Sequence, residues 1–284
     1  MNLFLKYLPC FLLALCLSGS AFAQGNTFSF EYFSQEDGLS NNQVHCSFQD
    51  TRGFMWFGTS QGLSRFDGYR FTRFVNNPAD SSTLRGNLVR TVFESSDGKL
   101  YVGTENGGLN LFQRDKEVFS HPLDHFSDLV PENRSVNDIS EDSQGRLWIA
   151  TDNGLLLLRK DNRLQLVRPT SKSGERSFDH EFVRVISFDK TGNLWMGTNS
   201  GLFVLDTARN EVRPFSLPVP ESLNVEIWEL LTDIDGKIWV GTYDNGIFIL
   251  NTLQQIEKHF FPDPGNSRSH TVRSIARDRK GEYW

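Results

Sequence analysis

Short apolar stretches closed by polar turns recur along the chain. The first unit runs from Val44 to Phe66 and contains an apolar stretch, the turn Asp50 to Gly53, a second stretch with Trp56, the dipeptide Gly58-Thr59 and a third stretch. Apolar runs of this length between Gly and Asp residues are typical of strands joined by tight turns. Each unit is therefore predicted to form three consecutive antiparallel strands.

The unit is repeated with a nearly constant period. An aromatic residue stands at the same place in six copies, which are Trp56, Tyr101, Trp148, Trp195, Trp239 and Trp284. The steps between them are 45, 47, 47, 44 and 45 residues. A fourth, outer strand is expected after each third, most clearly at 69–74 after the hairpin signal Asp67-Gly68. The period predicts an all-β protein, a β-propeller of four-stranded antiparallel blades.

The repeat also sets the expected blade boundaries. Complete blades are predicted at 42–74, 87–120, 135–167, 182–215 and 225–260, with a partial blade at 271–284. Residues 27–33 have the pattern of an outer strand without inner strands before it. Closing a ring requires a complete final blade. We therefore expect five complete blades, the start of a sixth, and a ring that is incomplete in this chain.

The repeated residues have structural explanations. Aspartate accepts hydrogen bonds from turn amides, and the glycine three positions later suits the left-handed backbone that closes the turn. The aromatic residue is expected to pack between neighbouring sheets, and the glycine of Gly-Thr to permit close approach of the next sheet. The Asp-x-x-Gly turns also suggest calcium loops, but calcium needs several oxygens that converge, and each aspartate stands alone. We expect structural turns, with no metal site and no cofactor.

Residues 1–23 have the features of a secretory signal peptide. Lys6 precedes an apolar run over 8–17, and Ala21-Phe22-Ala23 forms an A-x-A cleavage site. An alternative is a lipoprotein signal through Cys16, although Leu15 is larger than the residue expected before it. After cleavage one cysteine remains, Cys46, which is expected to be buried and inert.

The net charge and the sequence motifs reduce the number of functions to consider for this chain. The net charge of −6 gives no basic surplus for phosphate, so direct nucleic-acid contact is not expected. The strings G-x-S-x-G, H-E-x-x-H and the P-loop are absent from the sequence. We therefore assign no catalytic residue to this chain.

Two sets of residues are candidates for ligand binding, and both lie on the face of the B–C turns (second to third strand). Variable crossovers reach this face at 75–87, 121–134, 168–181, 216–224 and 261–270. Two B–C turns are one residue longer than the others, with Glu105 and Asn106 in one and Tyr243 and Asp244 in the other. Loops on a rigid frame are a frequent place of recognition.

The second set comes from aligning the units on the turn glycine. Eight residues before it stand His45, Arg90, Asn137, Arg184, Trp228 and Arg273. In a closed ring these side chains approach the mouth of the central channel. They suit a sugar or a carboxylate, which they would bind by hydrogen bonds and stacking. The alternative is that they stack and pair with neighbouring blades.

One stretch of sequence carries a family resemblance. Asp37-Gly38-Leu39-Ser40-Asn41-Asn42, the turn at Asp50, and the run from Phe54 to Gly68 closely resemble the two-component regulator propeller repeat of bacterial periplasmic sensors. The resemblance extends over nearly everything after the signal peptide. The departures are Ser95 for the aspartate, Tyr101 for the tryptophan and Ala150 for the glycine.

The resemblance implies a function. Proteins with these repeats usually have two seven-bladed propellers, a β-sandwich domain, one membrane helix and cytoplasmic signalling domains, often a histidine kinase and sometimes a diguanylate cyclase. This chain would then be the periplasmic, non-catalytic part of an inner-membrane sensor, a homodimer that recognises an oligosaccharide or other small ligand. It would regulate transcription through a histidine kinase outside these residues. A propeller enzyme of lyase or lactonase type and a protein-interaction scaffold remain alternatives.

Overall fold

The computed structural model describes residues 31–126, 128, 135–171, 178, 181–219, 225–261, 270–278 and 280–284. Within it, Ser34–Trp284 forms one compact unit. The predicted signal peptide at 1–23 and residues 27–30 of the predicted first outer strand lie outside the described residues, and 31–33 are not part of a strand. No helix in the described ranges is long and apolar enough to cross a membrane.

Twenty strands form five sheets in the described part of the chain. The first two sheets contain β1 (Val44–Gln49), β2 (Met55–Thr59), β3 (Gly62–Phe66), β4 (Phe71–Phe74), β5 (Val89–Glu94), β6 (Leu100–Thr104), β7 (Gly108–Gln113) and β8 (Val118–Ser120). The next two contain β9 (Val136–Glu141), β10 (Leu147–Thr151), β11 (Gly154–Leu158), β12 (Leu164–Val167), β13 (Val183–Phe188), β14 (Leu194–Thr198), β15 (Gly201–Asp206) and β16 (Glu211–Phe215). The fifth contains β17 (Ile227–Thr232), β18 (Ile238–Thr242), β19 (Ile247–Leu250) and β20 (Ile256–Phe260).

Each sheet has four strands in chain order, and each strand pairs antiparallel with the next. The inner strands β1, β5, β9, β13 and β17 contact one another in the same order, so each sheet is a blade with its first strand innermost. The prediction of an all-β protein with four-stranded antiparallel blades is confirmed. The sixth unit contributes an isolated bridge between Arg277 and Tyr283 and no strand among the described residues.

The repeated aromatic residues lie at the seams between sheets, as the sequence predicts. Trp56 shares an apolar cluster with residues of the second blade, Tyr101 with the third, Trp148 with the fourth and Trp195 with the fifth. The exposed fraction of each of these four side chains is at most 7%. Trp284 differs, with 58% of its surface exposed, because no sheet covers it in the described structure.

The glycine of Gly-Thr is required by the distance between blades. A Cβ atom on Gly103 would lie 2.6 Å from Val136 Cγ1 of the next blade and equally close to Thr91 Cγ2. The same position in the first and fourth blades is similarly closed by Val89 and Ile227. Apolar side chains of the next inner strand fill the space that a side chain would need. The expected role of this glycine is therefore confirmed.

The Asp-x-x-Gly turns are held by the aspartate. In the first turn Asp50 Oδ1 accepts hydrogen bonds from the amides of Arg52 and Phe54, at 3.1 and 2.9 Å. Gly53 has a φ of 89°, which favours glycine. Each aspartate is thus engaged by its own turn. No group of three or more His, Cys, Asp or Glu side chains that could hold a metal ion occurs within the described ranges.

Candidate ligand-binding site at the channel mouth

The inner strands place all six aligned residues around one cavity. His45, Arg90, Asn137, Arg184, Trp228 and Arg273 line a space of about 460 Å³. The first five are each the second residue of an inner strand. We call these six residues the ring. The structure thus brings together residues that are up to 228 positions apart in the sequence.

A β-bulge sets the direction of the ring side chains. In the first blade Val44 pairs with Thr59 and Cys46 with Gly58, so His45 is left without a partner on β2. The same shift occurs in each of the other four inner strands, at Arg90, Asn137, Arg184 and Trp228. An extra residue in a strand bends it and redirects its side chain. The regular alternation of the strand does not reveal this feature.

Five of the six ring side chains contact the B–C turn of their own blade, at a residue fifteen positions later. The bonds are His45 Nε2 to Ser60 Oγ at 2.8 Å, Arg90 Nη2 to Glu105 Oε2 at 2.5 Å, Asn137 Nδ2 to Asp152 Oδ1 at 2.8 Å and Arg184 Nη2 to Asn199 Oδ1 at 2.6 Å. In the fifth blade Trp228 stacks on Tyr243 with ring centroids 5.6 Å apart. The B–C turns therefore decide how the ring side chains are held.

Of the four turn residues predicted to bind ligand, two contact the ring. These are Glu105 and Tyr243, and 49% of the Tyr243 surface is exposed. The others adopt the left-handed backbone, with φ of 57° at Asn106 and 67° at Asp244, and so shape the two longer turns. In the described structure neither has a contact to a ring side chain.

Contacts between blades also hold the ring, as the alternative interpretation expects. The Trp228 indole lies near two guanidinium groups, 4.6 Å from that of Arg184 and 4.9 Å from that of Arg273. Its Nε1–H donates to Glu226 Oε2 at 3.2 Å, which is also 3.7 Å from Arg184 Nη2. Asn137 Nδ2 donates to the carbonyl of Val183 in the next blade.

The electrostatics keep one ring member neutral. Partial burial lowers the pKa of the His45 imidazole below its ordinary value of 6.5, and the charges of Arg90 and Arg273 lower it further. At pH 7 the ring therefore presents three guanidinium groups, an amide, a neutral imidazole and an indole.

The cavity has a second layer that was not predicted from the sequence. The next residue in each inner strand also lines it, and these residues are Cys46, Thr91, Asp138, Val185, Glu229 and Ser274. Burial raises the pKa of Asp138 to about 6 and that of the Cys46 thiol to about 12. Burial and the Asp138 charge raise the pKa of Glu229 to about 8. An acid within an otherwise apolar inner strand was the signal that could have found the two carboxyl groups.

The two acids connect neighbouring blades. Asp138 Oδ2 accepts the amide of Ile186 in the fourth blade at 2.9 Å, and Oδ1 accepts the amide of Ile139 at 2.8 Å. Glu229 Oε1 accepts the amide of Leu230 at 3.1 Å and is also bonded by Ser274 in the sixth unit. The second layer thus has a structural role beneath the ring.

Cys46, which the sequence predicted to be buried and inert, is partly buried. Its strand β1 has largely exposed side chains because the described residues place no sheet on its open side. The predicted crossover at 75–87 is described and packs Leu84 into the core. The other four predicted crossovers lie partly outside the described residues.

Many classes of protein share the propeller fold. Similarity to known proteins therefore indicates the class of this chain further. The model of the family described as two component regulator propeller matches residues 38–61, 83–106, 130–153 and 177–200. The chain carries two-component regulator propeller repeats in these segments, which confirms the resemblance.

One curated relative and several solved structures are similar to the chain. Histidine kinase P4 of Formosa agariphila is 44% identical over 62 residues, which are 22% of this chain and 4% of the relative. The extracellular domain of BT3049 from B. thetaiotaomicron, assigned to a hybrid two component system, superposes with a TM-score of 0.62 at 22% identity. The extracellular domain of BT4673 from the same organism superposes with a TM-score of 0.58 at 21% identity.

The solved structures share the fold over most of this chain. The alignments cover 89% of it for BT3049 and 87% for BT4673, but only 40% and 37% of those chains. PorZ, a surface component of the type-IX secretion system of Porphyromonas gingivalis, also superposes, with a TM-score of 0.60 at 16% identity over 83% of this chain and 36% of its own. The chain thus spans well under half the length of these proteins.

Proposed function

We propose that this chain is the extracytoplasmic, ligand-sensing region of a two-component signalling protein, and that the ring is its ligand-binding site. The observation that carries the proposal is the repeated bulge, which directs a different side chain from each blade into one cavity. The turn glycine and the Gly-Thr dipeptide recur in most units, whereas the ring position holds histidine, arginine, asparagine or tryptophan. Variable side chains on a rigid frame are typical of recognition.

The family repeats and the relatives support the signalling part of the proposal. Four segments match the two component regulator propeller model, and one curated relative is a histidine kinase. Two similar structures are extracellular domains assigned to hybrid two component systems. The chain would be exported by the signal peptide at 1–23, and its parent protein anchored in the inner membrane as a homodimer. Transcription would be regulated through a histidine kinase outside these residues.

The side chains of the ring suit an oligosaccharide. Guanidinium, amide and imidazole groups form hydrogen bonds with hydroxyl and carboxylate oxygens. The half-exposed Tyr243 ring, which is held by Trp228, offers an aromatic face on which a sugar ring can stack. A ligand seated here would touch several blades at once.

Signalling requires that the ligand favours one arrangement of two protomers over another. A ligand shifts such an equilibrium only by the difference between its affinities for the two states. Because the ring is built from six units, a ligand that bridges them would change the relative positions of neighbouring blades. This change would be passed to the dimer through the rigid sheets.

The test is isothermal titration of the intact protein with a panel of neutral and acidic oligosaccharides. We expect one class to bind, and binding to be lost in Trp228→Ala. The control is Arg70→Ala, in the β3–β4 hairpin on the opposite face, whose side chain is 83% exposed. If no oligosaccharide binds, or if binding survives in Trp228→Ala, the ring is not the sensing site.

A further inference from the structure

Three buried polar atoms of the ring have no hydrogen-bond partner in the protein. They are Arg90 Nε, Asn137 Oδ1 and Arg184 Nε, from three consecutive blades. Only three other atoms of this kind occur in the described residues, and they are dispersed over Arg65, His121 and His270. A buried polar group without a hydrogen-bond partner destabilises the folded protein. Their concentration at one cavity indicates a partner that the protein itself does not supply.

Asn137 is the clearest case of a buried ring residue with an unpaired atom. Its side chain is buried, with 7% of the residue exposed, and both hydrogens of its amide are used, by Asp152 and by the carbonyl of Val183. Only the oxygen is left, and the residue lines the cavity. A hydroxyl group of a ligand is the simplest donor for this oxygen.

The remaining open groups are donors, and they carry positive charge. Arg273 lines the cavity and lies over Trp228, and it has no ion pair within the described ranges. Arg90 and Arg184 each use an Nη atom for their turn and keep Nε–H free. The open donors of the ring therefore outnumber its one open acceptor.

The acids nearest the ring do not occupy the cavity. Glu105, Asp152 and Glu226 each accept a bond from a ring side chain, and none of the three lines the cavity. The carboxyl groups that do line it, Asp138 and Glu229, lie one layer deeper and are bonded to backbone amides. The charged groups in the outer layer of the cavity lining are thus guanidinium groups.

We propose that the ring binds the carboxylate of a uronic acid unit, with a neighbouring sugar hydroxyl donating to Asn137. A carboxylate offers two oxygens that match the planar N–H groups of arginine. This inference rests on the proposed function and specifies its ligand class as an acidic oligosaccharide. Arg90, Arg184 and Arg273 supply the donors, and the ligand pairs the three open atoms.

The test compares acidic disaccharides with neutral ones on the intact protein. Digalacturonate and a glucuronate-containing disaccharide are titrated beside their neutral counterparts, with galactobiose as the partner of digalacturonate. We expect at least one uronate to bind about tenfold more tightly than its neutral counterpart. The difference should shrink as the salt concentration rises, because the exposed part of the attraction is screened.

Two arginine variants test whether the ring is where the uronate carboxylate binds. Arg273→Gln, which removes a charge without a structural ion pair, should weaken uronate binding about tenfold and weaken the binding of neutral sugars by a smaller factor. Arg70→Gln is the matched control on the opposite face and should change nothing. Thermal melting of each variant checks that it is folded. The wild-type comparison of acidic and neutral sugars needs no variant at all.

Three outcomes of these titrations would contradict the proposal that the ring binds a uronate carboxylate. If neutral sugars bind as tightly as uronates, or if Arg273→Gln binds uronates like the wild type, the carboxylate inference is wrong while oligosaccharide sensing stands. If a sulfated disaccharide binds as tightly as the uronate, the site selects any oxyanion, and the uronate assignment is overturned. If no saccharide binds, both this inference and the proposed function fail.

Discussion

The indole Nε1–H of Trp56 donates to Asp50 Oδ2, six residues earlier in the chain, at 2.9 Å. The same pair recurs in four further units, at 2.9 Å for Trp148 and Asp142, 3.1 Å for Trp195 and Asp189, 3.1 Å for Trp239 and Asp233, and 3.4 Å for Trp284 and Asp278. One carboxylate thus closes the turn with one oxygen and fixes the seam residue with the other. In the second blade both partners differ together, as Ser95 and Tyr101.

The carboxylate of this pair should contribute more to the free energy of unfolding than an exposed carboxylate does. Asp189→Ala removes the acceptor of the Trp195 indole and of the amides of Thr191 and Asn193. We expect the free energy of unfolding to fall by about 2–3 kcal/mol, measured by urea denaturation. Asp161→Ala is the control, because Asp161 is exposed and its pair with Arg163 is screened by solvent, so the loss should be much smaller. Equal losses in the two variants would contradict the role of the turn carboxylate.

The pair Ser95 and Tyr101 in the second blade predicts that substitutions at these two positions are energetically coupled. Ser95→Asp alone places a carboxylate beside Asp97, to which Ser95 Oγ now donates at 2.5 Å, and should destabilise the protein. Adding Tyr101→Trp supplies the missing indole donor. In a double-mutant cycle we expect a favourable coupling free energy of about 1 kcal/mol. Simple additivity of the two single changes would show that the pair is not a unit.

The seam glycine should not tolerate a methyl group. In Gly197→Ala the new Cβ would lie 2.6 Å from Ile227 Cγ2 and 2.7 Å from Val185 Cγ1, so the blades must separate. We expect a loss of about 1–3 kcal/mol in the free energy of unfolding. Ala150→Gly is the matched change in the third blade, which already accommodates a methyl group, and should cost about 1 kcal/mol or less. If Gly197→Ala unfolds at the wild-type urea concentration, the seam is looser than the structure indicates.

The acids of the second layer predict a pH dependence of stability. The pKa of Glu229 is about 8 in the folded protein against 4.5 ordinarily, so between these values the folded state holds a proton that the unfolded state has released. Stability must then fall as pH rises through this window, by at most ~1.4 kcal/mol per pH unit. Asp138, with a pKa of about 6 against 3.8, adds a loss between those two values.

The check is chemical denaturation from pH 5 to pH 8. Glu229→Gln removes the group, so its free energy of unfolding should fall less steeply with pH than that of the wild type. Glu36→Gln, at an exposed position, should keep the wild-type slope. A wild-type slope in Glu229→Gln would mean that Glu229 is not held protonated in the channel.

Much of the fold follows from local residue patterns. The strand runs, the Asp-x-x-Gly turns and the period of the aromatic residues specify four-stranded blades because each feature depends on residues close together in the chain. The pairing of Trp56 with Asp50 spans six residues, and even the packing of Gly103 against the next blade follows from the repeat. The six ring residues could be found for the same reason, since an equal offset in equal units places them at one height along the channel.

Local patterns along the chain thus specify the blades, their seams and the membership of the ring. The direction of the ring side chains depends on the folded sheets, because the bulge at His45 and its equivalents changes the alternation of the strand. The folded structure also brings Asp138 and Glu229 to the lining of one cavity, around which Arg90, Asn137 and Arg184 have unpaired atoms. These features depend on distances between different blades, and such distances exist only once the sheets are arranged around a common axis.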